Sequence, residues 1–188
     1  MTGVQTCALP IWRQLWIWFL LMSMPAVAGA TVVLPADFAT VVHGADVIVS
    51  GRVVDVRAML TSERAIESLV TVAVDDALKG EPVRTVTFRV PNGTVGRYRR
   101  ITMGAPEFVE GDRVVVFLRA QAPRVPILFG LSQGVYRVAS TPDGDMVLPA
   151  PVMARGLAAE RVVRGDPARQ SLPLATFLTE ARRTLEAQ

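Results

Sequence analysis

Asp46-Val47-Ile48-Val49-Ser50-Gly51-Arg52-Val53-Val54-Asp55-Val56-Arg57 is the stretch that decides the fold class of this chain. β-Branched residues dominate it, which favours a strand over a helix. Gly51 interrupts it where a strand would bulge or bend around a barrel. Working outward, Leu69-Val70-Thr71-Val72-Ala73-Val74 alternates, with Val70, Val72 and Val74 on one face. Thr85-Val86-Thr87-Phe88-Arg89-Val90 repeats the pattern with Val86, Phe88 and Val90. Val114-Val115-Val116-Phe117-Leu118 is a continuous apolar strand introduced by the turn residues Glu110-Gly111-Asp112. Val135-Tyr136-Arg137-Val138 and Met146-Val147-Leu148 form a hairpin across Thr141-Pro142-Asp143-Gly144-Asp145, whose residues suit a turn.

Two helices flank this β-rich core. Phe38, Val41 and Val42 share a face in the segment Pro35 to His43, with Asp37 in its first turn and Gly44 ending it. At the other end, Ser171-Leu172-Pro173 opens a helix in which Leu174, Phe177, Leu178, Ala181 and Leu185 form one stripe. The expected fold is therefore mainly β. Bends within the strands favour a small OB-like closed barrel of five or six strands over a sandwich, with a short N-terminal and a C-terminal helix. The expected domains are residues 1–30, outside the fold; 31–150, the barrel; and 151–188, a linker with the amphipathic helix.

The 188 residues are 51% apolar, which excludes a disordered or collagen-like chain. Of 20 basic residues 19 are arginine, the exception being Lys79; against 17 acidic residues the net charge is only +3. That excess is too small to argue for nucleic acid. In residues 12–30, Arg13 precedes an apolar run from Leu15 to Met24, Pro25 breaks it, and Ala-x-Ala sites follow at Ala26–Ala28 and Ala28–Ala30. This order is that of a secretory signal peptide cleaved after Ala28 or Ala30, and the run is short for a spanning helix. The protein is expected to be exported, periplasmic or secreted, with no stable membrane span after cleavage. Residues 1–11, Met-Thr-Gly-Val-Gln-Thr-Cys-Ala-Leu-Pro-Ile, resemble a translated sequencing adapter. On that reading Cys7 does not belong to the natural protein, and the exported domain is free of cysteine and tryptophan, so its core alone must hold it.

Four motifs occur in order: Ala45-Asp46-Val47-Ile48-Val49-Ser50-Gly51-Arg52-Val53, Ala77-Leu78-Lys79-Gly80, Phe88-Arg89-Val90-Pro91, and Gly111-Asp112-Arg113-Val114-Val115-Val116-Phe117-Leu118. The series, over residues 45–118, resembles the netrin-like module, the OB-fold barrel also found in tissue inhibitors of metalloproteinases. It is also similar to uncharacterised exported bacterial proteins. The resemblance implies a fold rather than an activity. In the eukaryotic inhibitors an N-terminal cysteine binds the catalytic zinc of the protease. This chain offers no such cysteine, so no residue inherits that role.

Few constellations promise chemistry. Gly130-Leu131-Ser132-Gln133-Gly134 matches the letters of a nucleophile elbow, but a strand follows where the elbow needs a helix. The single histidine, His43, also precedes the serine, and it suits the helix C-terminus, where it would complement the last carbonyls. Asp75-Asp76 and Asp143-Gly144-Asp145 read as solvated turns, and neither carries a calcium-loop spacing. No catalytic residue, metal site or cofactor is assigned. Arg97-Tyr98-Arg99-Arg100 is the densest basic cluster and the candidate binding site. It lies in the Gly-rich segment 93–108, long enough to be a functional loop; an irregular strand closing the barrel is the alternative. The reading that follows is an exported, non-enzymatic binding module of unknown ligand, a protein partner such as an extracellular protease being one candidate. The alternatives are an exported hydrolase using Ser132 and His43, and a structural envelope domain.

Overall fold

The computed structural model describes residues 36–61, 65–142, 144–149 and 171–187. The adapter-like residues, the signal segment and the linker at 151–170 lie outside them. Among the described residues ten strands and two α-helices follow in chain order. Helix α1 (Phe38–Gly44) precedes β1 (Val47–Leu60), β2 (Ile66–Lys79) and β3 (Thr85–Val90). Next come the short β4 (Gly93–Val95) and β5 (Tyr98–Arg100), then β6 (Arg113–Gln121) and β7 (Arg124–Leu128). After β8 (Val135–Thr141), β9 (Gly144–Pro149) and β10 (Leu172–Pro173), the chain ends in α2 (Leu174–Glu186).

Strand pairing closes a ring, β1-β2-β3-β7-β6 and back to β1. All its contacts are antiparallel except β3–β7, which is parallel. This is the small OB-like barrel expected from the bent, Val-rich strands. Gly51 is what permits the bend. The register of β1 on β2 shifts between Ser50 and Gly51, and a Cβ at Gly51 would lie 2.0 Å from the Ala73 carbonyl oxygen. Only glycine allows the two backbones so close.

The seam between β3 and β7 holds a single register pair, Arg89 with Ile127. Arg89 reinforces it with its side chain. Its Nε donates to the Val125 carbonyl at 3.3 Å, Nη1 to Glu67 at 3.0 Å and Nη2 to Gln121 Oε1 at 2.8 Å. One guanidinium thus ties β2, β6 and β7 to β3, using the several fixed donors that lysine lacks.

Two cores share β6. Val114, Val116 and Leu118 face the barrel interior with Val49, Val53, Val72, Phe88 and Val90. Val115 and Phe117 face the other way, into a second core with α1, α2, Tyr136 and Val147. That is why Val114–Leu118 lacks polar alternation: both its faces are buried. In the second core Phe38, Phe117, Tyr136 and Phe177 meet mostly edge to face, with centroids 4.7–6.5 Å apart. The α2 stripe read from sequence supplies this contact, with Phe177 and Ala181 buried. Helix α2 begins at Leu174. Leu172 and Pro173 instead extend the sheet beside β9, because the proline ring disfavours helical backbone at Leu172 just before it.

Residues of the four motifs have local structural jobs. Asp46 accepts from the Ala120 N–H at 2.8 Å, aligning β1 with β6. Lys79 Nζ donates to the His43 carbonyl at 3.1 Å, capping the C-terminus of α1, and Gly80 then turns the chain at φ +95°. Capping was expected of His43 itself. Its Nδ1 is instead buried without a hydrogen-bond partner, since the longer lysine reaches the carbonyls from β2.

Candidate functional site

Segment 93–108 does not close the barrel as a strand: it is a short hairpin followed by an irregular loop. Gly93 to Arg100 fold into a two-stranded hairpin, β4 on β5, that forms a sheet separate from the barrel. The turn is tight, with Gly96 at φ +57°. The second strand of the hairpin begins at Tyr98 and ends at Arg100.

Beyond the hairpin the chain is irregular but closely tied. Thr102 Oγ1 donates to the Pro91 carbonyl, and Asn92 Nδ2 donates to the Pro106 carbonyl at 2.8 Å. The Gly104 carbonyl accepts from the Ser132 N–H at 3.0 Å. Arg137 bonds the Glu107 carbonyl and the Asp112 carboxylate. Ala105 and Phe108 enter the barrel core, where the Phe108 ring meets Phe88 edge to face at 5.4 Å. A segment anchored at so many points holds its exposed side chains in place.

The four residues of the basic cluster do not act as one patch. Arg97 Nη2 donates to the Tyr98 hydroxyl at 2.7 Å, and its guanidinium sits 5.0 Å from the ring centroid. Arg99 pairs with Glu107 at 2.8 Å. Arg100 Nη1 reaches the Ile66 carbonyl at 3.5 Å, a distance that engages little of its donor capacity. Tyr98, Ile101 and Met103 stand out to solvent, 60%, 59% and 69% exposed. The charge cluster was visible in the sequence; its apolar companions were not singled out there.

Behind the hairpin lies a cleft of about 390 Å³. Val56 and Ala58 of β1 and Ser68 and Val70 of β2 contribute to its lining, and Arg99, Arg100, Glu107 and Phe108 line it as well. Gly93 makes the close crossing possible: a Cβ there would lie 2.7 Å from Ser68 Oγ and 3.0 Å from Ala58 Cβ. The sequence reading missed this floor because β1 runs on through Ala58-Met59-Leu60 and β2 starts at Ile66, both beyond their Val-rich parts.

The other candidates are structural in their contacts. Ser132 is buried in a 3₁₀ turn, Leu131–Gly134, instead of an elbow leading to an α-helix. Among the described residues no hydrogen bond joins it to His43, whose Nδ1 is unpartnered. Asp76 pairs with Arg182 of α2. Asp145 accepts from Ser140 at 2.7 Å and from Arg113 at 2.6 Å, which together hold its carboxyl below the usual range. Asp37, the α1 N-cap, is lowered likewise by its hydrogen bonds from Thr40. Asp143 lies outside the described residues. Among the described residues no group of three or more His, Cys, Asp or Glu side chains could hold a metal ion, and no helix is long and apolar enough to cross a membrane.

No family model, no curated protein and no solved structure matches this chain.

Proposed function

We propose that this chain is an exported, non-enzymatic binding module of netrin-like type, whose barrel presents residues 93–103 to a protein partner, an exported protease being one such class. The observation that carries the reading is the exposure of Tyr98, Ile101 and Met103 beside Arg97, on a segment pinned to the barrel at many points. Tyrosine, arginine and methionine are enriched at protein interfaces. A pre-organised segment also loses little conformational entropy when it docks. The netrin-like reading draws support from the jobs of its motif residues: Asp46 sets strand register, Gly51 allows the bend, Lys79 caps α1 and Gly80 turns the chain.

Capture tests this reading. The tagged chain is incubated with periplasmic and culture-supernatant extracts of a bacterium that encodes it, and bound proteins are identified by mass spectrometry. One dominant exported protein should be recovered. It should be lost from a variant carrying Tyr98→Ala, Ile101→Ser and Met103→Ser whose unfolding midpoint matches the wild type. An empty capture, or recovery indifferent to these changes, overturns the proposal.

A further inference from the structure

Strand β1 is longer than the barrel needs. It pairs with β6 only from Val47 to Arg52, while its pairing with β2 continues to Leu60. Past Val53, whose N–H and carbonyl bond Asp112 and Gly111, no described residue pairs with its outer edge. The direction of the backbone groups on that edge follows from two independent hydrogen bonds. At the tip of the β1–β2 arm the Thr61 N–H donates to the Ala65 carbonyl at 2.7 Å. Thr61 and Ala65 are therefore a hydrogen-bonded pair, and alternation along an antiparallel ladder makes Met59 and Arg57 members of the same set. Val56, Ala58 and Leu60 must then direct their N–H and carbonyl groups outward. From the other end, Val53 points outward, and the register shift between Val53 and Asp55 adds one residue, which again leaves Val56 outward.

Three alternate residues whose backbone groups face outward along one edge are a template for another strand. The same stretch borders the cleft, through Val56 and Ala58, and the opposite wall carries Arg99 and Arg100. Glu107 neutralises Arg99, whereas Arg100 makes only its 3.5 Å contact with a carbonyl. The side chains of an added strand that project on the cleft side would meet Val56, Ala58 and Val70 beside Ser68, and this arginine.

We infer that the outer edge of β1 from Val56 to Leu60 takes up an extended, acidic segment of a partner protein by strand addition, with an acidic side chain of that segment reaching Arg100. Backbone hydrogen bonds to Val56, Ala58 and Leu60 supply the affinity, and alternate side chains entering the cleft supply the selectivity. The inference rests on the binding-module reading and adds to it the mode of binding and the charge of the partner.

The probe is a library of random eight-residue peptides, displayed on phage and panned against the full chain. Enriched peptides should carry acidic residues alternating with apolar ones. Leu60→Pro removes one outward N–H while sparing the ladder to β2, and should weaken these peptides roughly tenfold, the scale of a lost backbone hydrogen bond. Arg100→Glu should do the same or more. Methylation of the peptide amides at one alternating set of positions should abolish binding, and at the other set should leave it intact. This readout alters only the peptide, so it does not depend on how a variant folds. No enriched peptide, peptides indifferent to Leu60→Pro, or equal effects of both methylation sets would overturn strand addition. A partner captured through Tyr98, Ile101 and Met103 but indifferent to Leu60→Pro overturns this inference alone and leaves the binding-module reading standing.

Discussion

Between Ile48 and Arg52, β1 is bonded on both edges, to β2 and to β6; from Val54 to Leu60 it has β2 alone. The first half is core, with Ile48 and Val49 fully buried. In the second half Val54, Met59 and Leu60 are 46%, 45% and 57% exposed. One continuous strand thus serves two ends of the molecule. Where it is ringed by partners it contributes stability. Where it leaves the ring it contributes a surface, together with the β4–β5 hairpin that crosses it at Gly93. A barrel has no edges where it is closed, and acquires one as soon as a strand outruns its neighbour.

Substitutions that separate stability from surface would sharpen this contrast. The largest loss is expected at the shared wall: Phe117→Ala empties a fully buried site facing Phe38, Tyr136 and Phe177, and should cost about 3–5 kcal/mol in urea unfolding. Gly51→Ala comes next. Its Cβ meets the Ala73 carbonyl, so β1 and β2 must part at the bend, at a cost of about 1–3 kcal/mol. A neutral result there would mean that the closed half of β1 is as forgiving as the open half. Lys79→Ala uncaps α1 and should lower stability by about 0.3–1 kcal/mol, read by the same unfolding curve.

Acid offers a gentler probe of the region beyond the ring. The carboxyl of Asp145 is held below its ordinary value of 3.8 by Ser140 and Arg113. Its folded pKa is depressed, so its contribution is present above that ordinary value and is lost as pH falls through the lowered folded one. The gap in unfolding midpoint between wild type and Asp145→Asn should therefore narrow toward acid. A gap that is constant with pH would show that the carboxylate contributes nothing there. The smallest effect belongs to the open end, where Leu60→Thr should change stability by no more than about 0.5 kcal/mol. A loss as large as that of Gly51→Ala would erase the distinction between the two halves.

Much of this division was legible in residues. Val70, Val72, Phe88 and Val90 announced their buried face by alternation, Gly51 announced the bend, and the Leu174–Leu185 stripe announced the docked helix. The short hairpin at 93–100 and strand β7 carried no comparable signal. Arg124-Val125-Pro126-Ile127-Leu128 is short and carries a proline in its middle, which argues against a strand, and in the ring it is joined to β6 and reached by Arg89 from β3. Arg97 to Arg100 stood out by charge, yet charge alone could not show that Arg99 is neutralised by Glu107 while Tyr98 lies open.

What the residues determine by themselves is local: which segments are strands, which face of each is apolar, where glycine must turn or bend the chain, and that a chain with a single cysteine closes no internal disulfide. These follow from backbone sterics and from a side-chain period of two, both set within a few neighbouring positions. Only the tertiary structure decided that the ring closes through β3 and β7, that β6 is buried on both faces, and that β1 outruns β6 by eight residues, Val53 to Leu60. Those outcomes depend on which strand ends meet across long stretches of chain, and the pattern along any one strand does not carry that information.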